Sequence, residues 1–222
     1  MSDLIGRFFY AQIHLEMGNR KIVTLGLYTI IGFPLAAFVI NYFFSSESFW
    51  DIFISKQGIL KELIIGMCLG ILSGLFAWLI IQLKILQPVR EKYQNVIGSL
   101  RMNIGTIVMV SICAGVGEEI LFRGILQSYF GIWITAVGFV AIHGYINPFD
   151  WRISIYGAYM TAAIIAIGYL NQLYGLTSAM IAHTIIDIIL FVKLSREYPN
   201  NRLLAKKNPL SEHSQSPLQT TD

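Results

Sequence analysis

The chain alternates long apolar runs with short polar breaks, and the runs are longer than the core of a soluble helix requires. A helix that crosses the hydrocarbon layer needs about 20 mostly apolar residues. Runs of that kind cover 22–44 and, with Lys61 and Glu62 at its entrance, about 59–86. A 40-residue tract follows at 104–143, too long for one span and suited to two, with a turn expected near 129–131. Further runs cover 153–170 and 176–192. The pattern predicts an all-α, polytopic transmembrane bundle of about six spanning helices, with no internal repeat. Residues 1–103 carry two of the spans and 104–192 the other four, and the polar stretch 193–222 is expected to be a disordered tail.

Composition agrees with this reading. Of the 222 residues, 55% are hydrophobic and 13% charged; a soluble globular domain carries about 25% charged residues. The N-terminus lacks the compact apolar core and small-residue site of a cleavable signal. Cys68 and Cys113 both lie inside apolar runs and read as packing residues. The net charge of +3 is a loop bias. It is not the basic, aromatic-studded face of a nucleic-acid binder, so nucleic acid is not an expected partner. Arg7, Arg20 and Lys21 precede the first span, Lys84, Arg90, Lys92 and Arg101 follow the second, and Lys193, Arg196, Arg202, Lys206 and Lys207 follow the last. Lys and Arg favour cytoplasmic loops, so both termini are expected to be cytoplasmic.

Ionisable groups within the spans stand out against this background, since each costs about 2.5–3.5 kcal/mol on insertion scales and marks a functional candidate. They are Glu118, Glu119 and Arg123 in the third span, His143 in the fourth, and His183 and Asp187 in the sixth. Glu119 and Arg123 are four apart and share a helix face, as do His183 and Asp187. Glu118 lies about 100° around the helix from Glu119, so one glutamate can pair with Arg123 while the other faces a different neighbour. At 1.5 Å per residue, Glu118, His143 and His183 fall about 9, 18 and 12 Å from the outer surface of a 30 Å core, a spread compatible with one site.

A Glu–Arg pair alone is equally well explained as a clamp, and a lone histidine as a hydrogen bond between helices. Phe122, Phe139 and Tyr145 read as packing, and His14 and His213 as solvated. Two glutamates, two histidines and an aspartate on three helices exceed what such glue requires. Together they are the inventory for activating water: a carboxylate base, histidines that position or coordinate, and a further acid that orients.

Three short patterns carry a resemblance. "EEILFR" at 118–123 fits EExxxR, "FVAIH" at 139–143 fits FxxxH, and "HTIID" at 183–187 fits HxxxN/D. In this order on successive membrane helices, they resemble the CAAX-protease and bacteriocin-processing enzyme (CPBP, or Abi) family, the type II CAAX prenyl endopeptidases. The resemblance covers about 104–192. It implies an intramembrane endopeptidase in which Glu118 activates water, Glu119 and Arg123 support it, His143 shares the water or a metal, and His183 with Asp187 stabilises an oxyanion or binds metal. Asp187 stands where the eukaryotic enzymes usually have Asn, and prokaryotic members commonly have Asp; the charge favours a ligand or orienting role over oxyanion binding. The implied metal is Zn2+, with Glu118, His143 and His183 as ligands, and a metal-free glutamate mechanism is the alternative. H-E-x-x-H is absent, so the chain is not a standard zincin. The implied substrate is a peptide or protein at the membrane: a C-terminal tail, a leader peptide or a lipid-anchored chain, in peptide maturation or self-immunity, at a prokaryotic plasma membrane. The rival expectations are an ion-coupled transporter using the same charges as a proton relay, or an inactive family member acting as a membrane partner.

Overall fold

A computed structural model describes residues 19–207. His14, His213, Arg7 and the chain beyond Lys207 lie outside the described residues. Among those described, every regular element is a helix. In order they are α1 (Asn19–Phe44), a 3₁₀ turn (Phe49–Phe53), α2 (Ile59–Ile81), a second 3₁₀ turn (Lys84–Leu86), α3 (Gln87–Ser99), α4 (Ile104–Glu119), a π-helical segment (Ile120–Leu126), α5 (Gln127–Ile142), α6 (Trp151–Tyr174) and α7 (Leu176–Lys207). The molecule is an all-α membrane bundle, with helical stretches long and apolar enough to cross at Lys21–Phe44, Ile59–Ile81, Ile104–Ile142, Trp151–Tyr174 and Leu176–Glu197.

Ile104–Ile142 is 39 residues long and is broken where expected, at Gly131 (φ 74°, ψ 171°). Only glycine adopts this extended backbone at positive φ without strain. The two arms are unequal. The first crosses, but the second, 132–142, is about 16 Å long, roughly half of a 30 Å hydrocarbon core. The fourth expected span is therefore a half-span that ends at His143. Tyr145 abuts Gly157 of α6, and α6 runs on about 9 Å further, to Trp151. The half-span thus sets His143 back from the end of the bundle.

Two other expectations are corrected. The stretch after the second span is not only a loop: it forms α3, which buries Val89, Gln94 and Ile97 and has proline in its first turn, where a missing N–H costs nothing. The polar tail does not begin at 193. α7 continues as helix to Lys207, because Leu194 is buried and Glu197 accepts a hydrogen bond from Gln94 at 2.5 Å, which docks α3 on the extension.

Small residues hold α7 in place. Gly66, Gly70 and Gly74 of α2 recur every four residues and face Ser178, Ala182 and Ile186 of α7. The same arrangement lets backbones approach closely in lipid, where no hydrophobic force drives helices together. On the other side, Gly115 of α4 lies against Thr184. At the head of α7, the buried carboxylate of Glu62 accepts from Ser55 Oγ at 2.6 Å and from the Lys56 N–H at 3.0 Å, and it packs against Gly175 (φ 118°) in the turn from α6. The helix bearing His183 and Asp187 is thereby wedged between α2 and α4.

Gly157 gives a direct test of the half-span. A Cβ there would overlap the carbonyl oxygen of Tyr145. Gly157→Ala is expected to push the 143–150 loop off α6 and to cost about 1–3 kcal/mol, the usual overpacking penalty. Thermal unfolding in detergent reads this, and an unchanged midpoint would contradict the tight contact.

Candidate active site

The site is built where α4 passes into the π-helical segment. Glu118 and Glu119 end α4, and Arg123 lies within the wider turn that follows. Such π segments are rare and cluster at functional positions. Arg123 Nε lies 3.0 Å from Glu119 Oε2, and both side chains are fully buried. The ion pair expected from their spacing is present, but it is not self-contained. The other oxygen, Glu119 Oε1, lies 2.8 Å from His183 Nδ1. That Nδ1–H donates to the carboxylate, so Glu119 fixes the orientation of a ring on α7. Asp187, the residue expected to orient His183, stands 3.7 Å from its Nε2, beyond hydrogen-bond length.

Glu118 faces elsewhere, as the helical angle requires. Its Oε2 lies 3.4 Å from His143 Nε2 and has no hydrogen-bond partner among the described residues. His143 Nδ1 lies 2.7 Å from the carbonyl of Phe139 and donates to it. In neutral His143 this leaves the Nε2 lone pair turned toward Glu118, the tautomer being set by the bond the other nitrogen makes. The His143 side chain is 34% exposed, against 11% for Glu118 and none for Glu119 and Arg123. The cluster therefore has an accessible pair, Glu118 with His143, backed by a largely sealed trio in which Glu119 and Arg123 are fully buried and His183 is 8% exposed.

All the candidate residues thus meet in one cluster, with roles divided differently from the spacing argument. The implied zinc ligands share this cluster but are not grouped as a ligand set. Glu118 is with His143, while His183 has one nitrogen on Glu119 and the other toward Asp187, and no three His, Cys, Asp or Glu among the described residues are grouped to hold a metal ion. Phe139, expected only to pack, contacts both histidines.

Beyond His143, Tyr93 of α3, Tyr145 and Tyr156 of α6 form an aromatic wall with ring centroids 5.7–6.4 Å apart. Burial, and after it the carboxylate of Asp150, push the Tyr93 phenol up to about 12. Burial likewise raises Tyr145 well above the ordinary value. Both stay neutral hydroxyls near neutral pH, so this wall adds no charge beside the cluster. A cavity of about 590 Å³ lies at the other end of α6, lined by Asn41, Asp51, Lys56, Gln127, Trp133 and Asn171. Arg123 also lines it, so volume alone would point to the Arg123 side of the cluster and not to Glu118 and His143.

Residues 100–189, which include every residue of the cluster, match the family described as type II CAAX prenyl endopeptidase Rce1-like. Over 100 residues the chain is 30% identical to the uncharacterized protein YpbD of Bacillus subtilis (strain 168), covering 44% of this chain and 50% of that protein. The match therefore spans about half the length of that relative. No solved structure matches the chain.

Proposed function

We propose that the Rce1-like segment at residues 100–189 is the catalytic part of an intramembrane endopeptidase in which Glu118 is the general base. A water bound beside the Glu118–His143 pair, within reach of both, gives its proton to the Glu118 carboxylate as its oxygen attacks the scissile carbonyl. The His143 Nε2 lone pair, aimed by the bond from Nδ1 to Phe139, orients that water. As the C–N bond breaks, the proton held on Glu118 passes to the leaving amine. His183, pinned by Glu119, supports the developing oxyanion when its Nε2 is protonated, and Asp187 balances that charge. Arg123 pairs with Glu119 and holds it in place. The observation that carries this reading is the placement of Glu118, whose Oε2 faces the partly exposed His143 at 3.4 Å. Glu118 is the carboxylate on the accessible side of the cluster, while Glu119 is already bound to Arg123 and His183.

No step here is routed through a metal. Zn2+ held by Glu118 and His143 would need His183 to turn, and would then supply Lewis-acid polarisation of the carbonyl. The substrate is a peptide bond close to the bilayer. A prenylated C-terminal tail, named in the description of the matched family, is one option, with a leader peptide or lipid-anchored protein as the others. Tyr93 of α3 touches the wall beside His143, so the accessible side of the site lies at the same end as Lys84, Arg90, Lys92 and Arg101. By the positive-inside bias that end is cytoplasmic, as are both termini, at a prokaryotic plasma membrane.

Proteoliposomes carrying a membrane-anchored reporter peptide test the reading. Cleavage in ¹⁸O-water should place one ¹⁸O in the new C-terminal carboxylate. Activity surviving exhaustive chelation supports the metal-free route, and loss restored by Zn2+ supports a zinc route. Solute uptake blocked by Glu118→Gln, with no cleavage, would replace the hydrolase by an ion-coupled carrier.

A further inference from the structure

We propose that Phe139 positions both histidines of the cluster and keeps each on its own glutamate. The catalytic consequence rests on the hydrolase reading above; the positioning itself does not.

Phe139 acts on His143 twice. Its carbonyl takes the Nδ1–H at 2.7 Å, and its ring stacks on the imidazole, with centroids 4.3 Å apart and planes 23° apart. The two contacts share a cause, since residues four apart on a helix lie one above the other. They constrain different things. The carbonyl fixes the tautomer, and the stack fixes the plane of the ring, hence where Nε2 points. The same phenyl ring meets His183 on α7 nearly edge-on, at 5.6 Å and 77°. Glu119 holds His183 by one nitrogen, and the phenyl contact bears on the plane of the same ring. Phe139 is itself braced. Phe122 packs against it at 4.9 Å and 81°, and Arg123 Cζ lies 5.6 Å from the ring centroid, within the range where a guanidinium is drawn to an aromatic ring. Phe139 is 4% exposed. One ring thus ties together α5, the π-helical segment that continues α4, and α7. Because it contacts both imidazoles, it directs His143 to Glu118 and His183 to Glu119. A filler of equal volume would have no such effect on ring orientation.

The test uses the full chain in detergent micelles with ¹³Cε1-labelled histidine, signals being assigned with His143→Gln and His183→Gln. Phe139→Leu should move the His143 ε1 signal to higher frequency, since the shielding of the stacked ring is lost, and should move His183 as well. On the reporter peptide, kcat should fall at least about tenfold, because small misplacements of reacting groups carry penalties of that order. KM should change less than about twofold in the same assay, since Phe139 is not placed to touch substrate. Phe139→Tyr keeps the ring and should retain most of both properties. Phe139→Met, closer in volume, serves if the leucine variant does not fold. The proposal is overturned if a folded leucine or methionine variant leaves the His143 signal where it was, whatever happens to kcat. If the signals move as expected but the wild-type protein cleaves nothing, the positioning stands and the hydrolase reading fails.

Discussion

Glu118→Gln is expected to cut hydrolysis of the reporter peptide by about 10²–10⁴, the usual contribution of a general base, while the unfolding midpoint stays near wild type. The separation of the two effects follows from the geometry. Glutamine has the same length, and its amide N–H can donate to the His143 Nε2 lone pair that the carboxylate faces at 3.4 Å. No ion pair in the buried trio is touched. What is lost is the ability to accept a proton from water. Initial rates with ¹⁸O incorporation read the chemistry, and circular dichroism reads the fold. A folded, inserted Glu118→Gln protein that cleaved at the wild-type rate would remove Glu118 from the base role, and the water-activating pair with it.

The division between Glu118 and Glu119 was legible in the sequence, because helical spacing alone separates their faces and matches Glu119 with Arg123. The turn near 131 was legible for a similar reason: a mostly apolar tract of 40 residues is too long for one crossing, and a glycine stood within the expected turn. The partner of His183 was not legible. Its ring nitrogen meets Glu119, 64 positions away, through a packing of α4 on α7 that depends on Gly115 lying against Thr184. Spacing pointed to Asp187 because only local neighbours can be read from a helix pattern. Phe139 does pack in the core, but its two histidine neighbours were not legible either, since an aromatic in an apolar run carries no mark of what stacks on it.

The boundaries failed on physical grounds too. α3 has too few apolar residues to register as a span, yet Val89, Tyr93 and Ile97 recur every four residues, the stripe of a helix lying on a neighbour. The helical extension of α7 past 193 depends on that docking through Gln94 and Glu197, a tertiary contact that overrides a locally polar composition. The half-span escaped notice because hydropathy counts apolar residues and does not see where a helix stops. Counted from Gly131, only about 16 Å of helix remains before the chain turns. That shortfall is what sets His143 back inside the bundle.

Arg123→Ala is the variant expected to damage the fold most. It leaves Glu119 fully buried, with His183 as its one remaining hydrogen-bond partner among the described residues, and breaking one side of a buried ion pair costs about 3–5 kcal/mol. It also removes the cation beside Phe139, so the support of both histidines loosens together. Unfolding in bicelles by a denaturing detergent measures the loss. The decisive comparison is the double variant Arg123→Met with Glu119→Gln. It removes both charges, restores apolar volume, and leaves the new side-chain amide at position 119 able to accept from His183 Nδ1–H through its carbonyl oxygen. If the cost of Arg123→Ala is an uncompensated charge, the double variant should recover much of the lost stability, since apolar replacement of a buried pair is often neutral. Its activity should stay low, because the charge on the His183 ring is then balanced by Asp187 alone, without the Glu119 carboxylate at its other nitrogen. Equal stability of Arg123→Ala and wild type would mean that Glu119 carries no buried charge. The buried trio would then no longer explain why Glu119 is unavailable and Glu118 is left to meet the water.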